Sequence, residues 1–218
     1  MQDASRVEQL PPLPPLYSLA IDLIDAAHAQ DPNLIDGPDG PKTLPYELHY
    51  ARKMTKWLAV RCPSASPELQ LACRAQHFKR WELPRSSFPL TRPGYLLWRA
   101  KQKTQAANQV AALLNSAALS PPLDASVCHR VAALVRKEDL ETDPEAQALE
   151  DVACLVFLDD QLDAFDAKPE IGEDKMVSIL KKSWAKMSDE GRRLALNMQL
   201  STRAQHLVTK ALRGDTPQ

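Results

Sequence analysis

Glu145 to Phe165 reads EAQALEDVACLVFLDDQLDAF, and the seven consecutive apolar residues Val152–Leu158 at its centre decide how the rest is read. Such a run is too short to cross a membrane. A helix that is apolar on every side belongs under other helices on nearly every side. Asp143-Pro144-Glu145 just before it is a helix start. It offers a side chain for the first free amides, a proline where no amide hydrogen is needed, and an acid at the positive end of the helix dipole. The expectation is a central helix from Pro144 to Phe165. Asp151 shares a face with Leu155, Leu158 and Leu162, so it should point inward, with Glu150 beside it at the helix entrance.

Working outward, the chain reads as more helices. Leu16 to Gln30 carries an apolar stripe through Leu19, Leu23, Ala26 and Ala27. Leu44 to Arg61 has its stripe at Ala51, Met54 and Leu58, which puts Glu47 on the inward face and His49 on a wet face with Arg52, Lys53 and Lys56. Ser66-Pro67-Glu68 starts a third helix, which runs into Ala72–Arg85. Tyr95 to Leu119 shows one face of Leu97, Ala100, Thr104, Ala107, Ala111 and Leu114. Asp124 caps a helix with Val127, Val131, Leu134 and Val135 inward. Lys175 to Met187 is amphipathic, and Ser188 and Ser201 cap two shorter helices. Lys186-Met187-Ser188 resembles part of an aminoacyl-tRNA synthetase signature, but at a helix end it reads as a plain cap. Asp31–Lys42, rich in Gly and Pro, reads as a loop, and no strand alternation stands out. The fold expected is all-α, a single-domain bundle of about eight or nine helices. A Pro-rich arm, 1–15, precedes the domain at 16–213, and a polar tail, 214–218, follows it.

Net charge is −1, so no global field directs the chain to nucleic acid or membrane, although a local patch still could. Six glycines and eighteen prolines fit helices with proline joints, and there is no Gly-rich phosphate loop. Cys62, Cys73, Cys128 and Cys154 form no C-x-x-C pair, which argues against a zinc ribbon or a thioredoxin-type site. Without a signal-like N-terminus, the expected location is cytoplasmic, with no membrane partner.

The richest polar stretch is Ala72 to Arg85, ACRAQHFKRWELPR, an elbow that gathers His77, Lys79, Arg80, Trp81, Glu82 and Arg85. Glu47, His77, Glu82, Glu150 and Asp151 are candidate ligands for a divalent metal, Mn, Fe, Mg or Zn. Such a metal would acidify a water, with Arg80, Lys137 and Glu138 as candidate catalytic groups. Arg80, Trp81, Arg85, Arg136 and Lys137 are candidate substrate-binding groups for an anion. The plainer reading is also open: a core histidine that is simply hydrogen-bonded, helix-entrance acids held by the dipole, and Glu–Arg pairs that fix register.

Several stretches together resemble a known family: Asp31-Pro32-Asn33, Arg74–His77 running through Arg80–Arg85, Gly94–Arg99, Val135–Glu138 and Leu149–Leu158. They are similar to the domain-of-unknown-function family numbered 4202, over roughly Leu16 to Leu212, which implies no established activity. A weaker resemblance is to HD-domain metal phosphohydrolases. These take one ligand from one helix, a His-Asp pair from the end of another, and a distant Asp from a long apolar helix. Glu47, His77 and Asp151 stand in that order, but Phe78 follows His77 where that family has Asp, and Glu82 is the candidate replacement. The resemblance implies an HD-like arrangement around the central helix. It also implies a metal-dependent hydrolase of a phosphorylated small molecule, nucleotide or RNA end. The alternative is a non-catalytic module that binds an anionic small molecule or nucleic-acid end through the Lys79–Arg85 elbow. Convergence decides between them. A hydrolase site should bring His77, Glu47, Glu82 and Asp151 together, whereas a His77 far from Asp151 leaves the binding elbow.

Overall fold

The computed structural model describes residues 9–37, 40–169 and 171–213. The tail at 214–218 and the first eight residues of the Pro-rich arm lie outside them. Within them the fold is all-α, with ten α-helices and one small hairpin. The order is α1 (Pro15–His28), β1 (Leu34–Gly37), β2 (Gly40–Pro45), α2 (Tyr46–Arg61), α3 (Pro67–Arg74), α4 (Arg92–Leu114), α5 (Ala125–Arg136), α6 (Pro144–Val156), α7 (Leu162–Asp166), α8 (Glu173–Lys186), α9 (Asp189–Leu196) and α10 (Thr202–Arg213).

The helix starts are chemical. Ser66, Asp143 and Ser188 accept from amides of the first turn of α3, α6 and α9, and Ser201 does the same for Ala204 in α10. Each satisfies an amide that has no partner within its helix.

The central helix is present but is not one uniform helix. α6 passes into a π-helical turn, Phe157–Gln161, and continues as α7. It joins two apolar clusters. Leu149, Val152 and Val156 pack with α1–α5, while Leu155, Leu158 and Leu162 pack with α8–α10. That double burial is why the sequence there is apolar all round.

Three expectations about local structure are corrected. Asp31–Lys42 is not a plain loop: β1 and β2 pair antiparallel, with Leu34 opposite Pro45 and Ile35 opposite Leu44. So short a ladder, broken by Gly and Pro, carries no alternation to read. α4 ends at Leu114, and of its expected inward face Leu97, Ala100 and Thr104 are exposed. Trp98 is buried instead, its Nε1–H donating to the Leu83 carbonyl at 2.9 Å, so the start of α4 is fastened to the elbow rather than to the core. α3 stops at Arg74, and the elbow that follows is irregular, with His77 (φ 67°) and Lys79 (φ 49°) left-handed. No helix among the described residues is long and apolar enough to cross a membrane.

Candidate functional site: a cationic cleft

The cleft-facing side of α2 includes Tyr46, His49, Tyr50 and Lys53, spaced as successive turns of one face, with Arg52 and Lys56 at its margin. Opposite stand the elbow and a stripe of α4 containing Tyr95, Trp98, Arg99 and Gln102. The end of α5, α6, the π-turn and α8 complete the walls of a cleft of about 2200 Å³. Thirteen Lys and Arg residues line it against three acids, Asp36, Glu150 and Asp160, although the whole chain has a net charge of −1. Positive charge is therefore segregated into one concavity.

Among the described residues, three of the four non-glycine positions with positive φ line this cleft: His77, Lys79 and Lys137. Each such conformation costs about 1–2 kcal/mol. Lys137 occupies the left-handed position closing α5, where glycine would be relaxed, and its ammonium donates to Glu150.

The Arg80 guanidinium donates to His77 Nε2 at 2.8 Å and lies 5.0 Å from the centre of the Trp98 ring. An arginine cannot accept, so Nε2 carries the lone pair and the ring proton sits on Nδ1. That Nδ1 is buried and has no partner among the described residues. The imidazole stacks on Tyr50, ring centres 4.1 Å apart and planes 12° from parallel. Burial, then Arg80 and Arg99, hold His77 well below its ordinary pKa, so it is neutral. Burial and Arg99 also depress Arg80. Among the described residues neither Arg80 nor Arg99 has a carboxylate partner.

Behind the elbow, Glu47 is buried as expected, at 2 % exposure. Its Oε2 faces His28 Nδ1 at 3.1 Å and its Oε1 accepts from the Trp81 amide at 3.3 Å. His28 Nε2 must donate to the Arg74 carbonyl, 3.0 Å away, so one proton lies between Nδ1 and Glu47. Burial raises the Glu47 pKa and His28 pulls it back. Oε1 of Glu47 thus holds the backbone next to Arg80 directly, and Oε2 reaches the end of α3 through His28.

The expected metal-ligand residues do not form one shell. Glu150 turns to Lys137, with Lys186 Nζ at 3.6 Å. Burial opposes its ionisation, but Lys137, Lys186 and Lys103 prevail and hold the carboxyl down to about 2. Asp151, fully buried, turns the other way. It accepts from Arg61 Nε at 2.7 Å, Gln147 Nε2 at 3.0 Å, the Ser188 amide at 2.8 Å and the Ser188 hydroxyl at 2.5 Å. Successive residues on a helix diverge by about 100°, so Glu150 and Asp151 serve different neighbours. Glu82 is exposed and accepts from Gln109 Nε2 at 2.7 Å. Among the described residues no three His, Cys, Asp or Glu side chains are grouped to hold a metal.

Of the other candidates, Arg80, Arg85 and Lys137 line the cleft, whereas Trp81, Arg136 and Glu138 do not. Arg136 Nε is tied to Glu138 at 2.5 Å. His49 is corrected outright. Its Nε2 meets Asp160 Oδ1 at 2.6 Å, both side chains being 14 % exposed. Of the face read as wet, His49 and Lys53 lie against the π-turn, which brings Asp159 to Lys53 and Asp160 to His49, while Arg52 and Lys56 are exposed. The residues missed were His28, Tyr50, Trp98, Arg99 and Lys103. A Trp-Arg step followed four residues later by Lys was the one available signal, a polar and aromatic stripe on one face of α4.

A family described as a domain of unknown function (DUF4202) matches residues 18–208. No curated protein matches the chain, and neither does any solved structure.

Proposed function

The chain belongs to that family of unknown function, and from its site we propose that it is a binding module for a phosphate-bearing anion, seated in the cationic cleft against Arg80. The observation that carries this reading is the half-buried Arg80 guanidinium, held by His77 and Trp98, close to Arg99, and without an acid among the described residues. Burying an unpaired cation beside another is costly. A phosphate oxygen would supply the missing charge, since the guanidinium fork matches phosphate geometry. The unpartnered His77 Nδ1–H is a neutral donor at the same place. Lys103, an exposed residue of the same cleft, is depressed by desolvation and then by Lys137.

Hydrolysis is the second reading, and one observation favours it. Asp160 fixes His49 Nε2 within the same cleft, which leaves Nδ1 as a base for a water or hydroxyl. The scatter of Glu47, Glu82, Glu150 and Asp151 among separate partners supports binding as the first reading.

The test is Arg80→Gln, with binding of pyrophosphate and ATP followed by calorimetry. Glutamine still donates to His77 but removes the charge. Anion affinity should fall at least about tenfold, as expected for a charged hydrogen bond worth about 1.5–3 kcal/mol. Stability without ligand should stay level or rise. An unchanged affinity, or a loss of more than about 2 kcal/mol of stability, would make Arg80 a structural strut and sink the reading.

A further inference from the structure

Resting on that anion-binding reading, we infer that the ligand is a single-stranded nucleic acid several nucleotides long, not a lone nucleotide or an inorganic anion. Size comes first. A cleft of about 2200 Å³ exceeds the roughly 300–1,000 Å³ of sites for single small molecules.

Charge placement comes second. Arg52, Lys56, Arg80, Arg99, Lys103 and Lys182 line the cleft and make no ion pair with a described residue. They come from three walls: α2, the elbow with α4, and α8. A single phosphate needs its cations converging on one point, whereas a chain of phosphates needs them strung along a path. Of the three lining acids, Glu150 and Asp160 are already engaged by Lys137 and His49, so they do not cancel these six cations.

Aromatic surface comes third. Tyr46, Tyr95, Phe157 and Phe165 also line the cleft, and Tyr95 is 46 % exposed. A single strand presents base faces that stack on such rings, a sequence-tolerant contribution of about 1–3 kcal/mol per base. A duplex keeps its bases stacked within itself, and polyphosphate has none to offer.

The experiment uses the full chain and fluorescence anisotropy with labelled oligouridylates of increasing length, competed by ATP and by polyphosphate of matched charge. Affinity should climb with oligonucleotide length and exceed that for ATP. The logarithm of affinity should fall against the logarithm of salt with a slope of about −4, about 0.7 for each of six neutralised phosphates. Lys182→Gln should reduce that slope by slightly under one. Tyr95→Ala, an exposed change with little bearing on folding, should weaken oligonucleotides at least about fivefold and leave polyphosphate binding unchanged. Oligonucleotides binding no tighter than ATP would overturn the inference while leaving anion binding intact. Polyphosphate competing as well as the oligonucleotide, with Tyr95→Ala silent, would overturn it in favour of a general polyanion site. If neither ATP, polyphosphate nor oligonucleotide binds, the anion-binding reading falls with it.

Discussion

Two buried carboxylates, Glu150 and Glu47, have opposite relations to their protons. Glu150 is ionised between lysines, its carboxyl held at about 2. A depressed carboxyl contributes stability that is complete above its unfolded value, about 4.3, and is lost as pH falls through the folded one. The contribution is about 3 kcal/mol, lost between about pH 4.5 and 2. Glu150→Gln should flatten urea stability over that acid window. At neutral pH it should cost about 3–5 kcal/mol, because Lys137, 8 % exposed, is left without its acid. A variant as acid-sensitive as the parent would show that the pair does not carry this dependence. Glu47 is raised by burial and tempered by His28, so its charge is dispensable in a way its shape is not. A glutamine there can donate to His28 Nδ1 and accept from the Trp81 amide. Glu47→Gln should therefore stay within about 1 kcal/mol of the parent in chemical denaturation, while Glu47→Ala loses about 2–3 kcal/mol and loosens the elbow. Equal damage from both would point to a role that needs the carboxylate itself, such as metal binding.

Among the elements, the junction of α6 with α9 is the least forgiving. Asp151 accepts from four donors and fixes Ser188, which in turn caps α9. Gly191 presses against it, and a Cβ there would come within 2.6 Å of the Asp151 carboxylate carbon. The carboxylate cannot move aside without losing Arg61. Gly191→Ala should therefore cost about 2–3 kcal/mol although it improves helix propensity, read as a lower denaturation midpoint with the slope unchanged. A neutral or stabilising result would mean that α9 shifts freely on α6. Asp151 was legible as inward from Leu155, Leu158 and Leu162, but its purpose was not. It points toward Arg61, ninety positions away in sequence, and no local pattern records that partner.

Across the whole molecule, the distribution of charge matters more than its sum. A net charge of −1 conceals a cleft with ten more cations than acids. Repulsion inside it acts over the screening length, about 10 Å at 0.1 M salt. Added sodium chloride should therefore raise the melting temperature of the free protein by a few degrees. Arg80→Gln should blunt that rise. A melting temperature that falls with salt would mean that exposed pairs such as Arg203–Glu173–Lys210 dominate the salt response instead.

The sequence by itself determined the all-α class, the helix starts at Ser66, Asp143, Ser188 and Ser201, the central apolar helix and the inward phase of Glu47. All of these are short-range matters of capping and periodicity, written within a few turns of chain. Only the tertiary structure decided what those side chains meet. His28 reaches Glu47, Asp160 reaches His49 across 111 positions, and Arg80 meets no acid among the described residues. The π-turn at Phe157–Gln161 rotates two aspartates onto α2, and the elbow's left-handed residues turn His77 onto Tyr50. Periodicity fixes which way a side chain leaves its own helix. It carries no record of which helix, turn or open cleft is placed opposite.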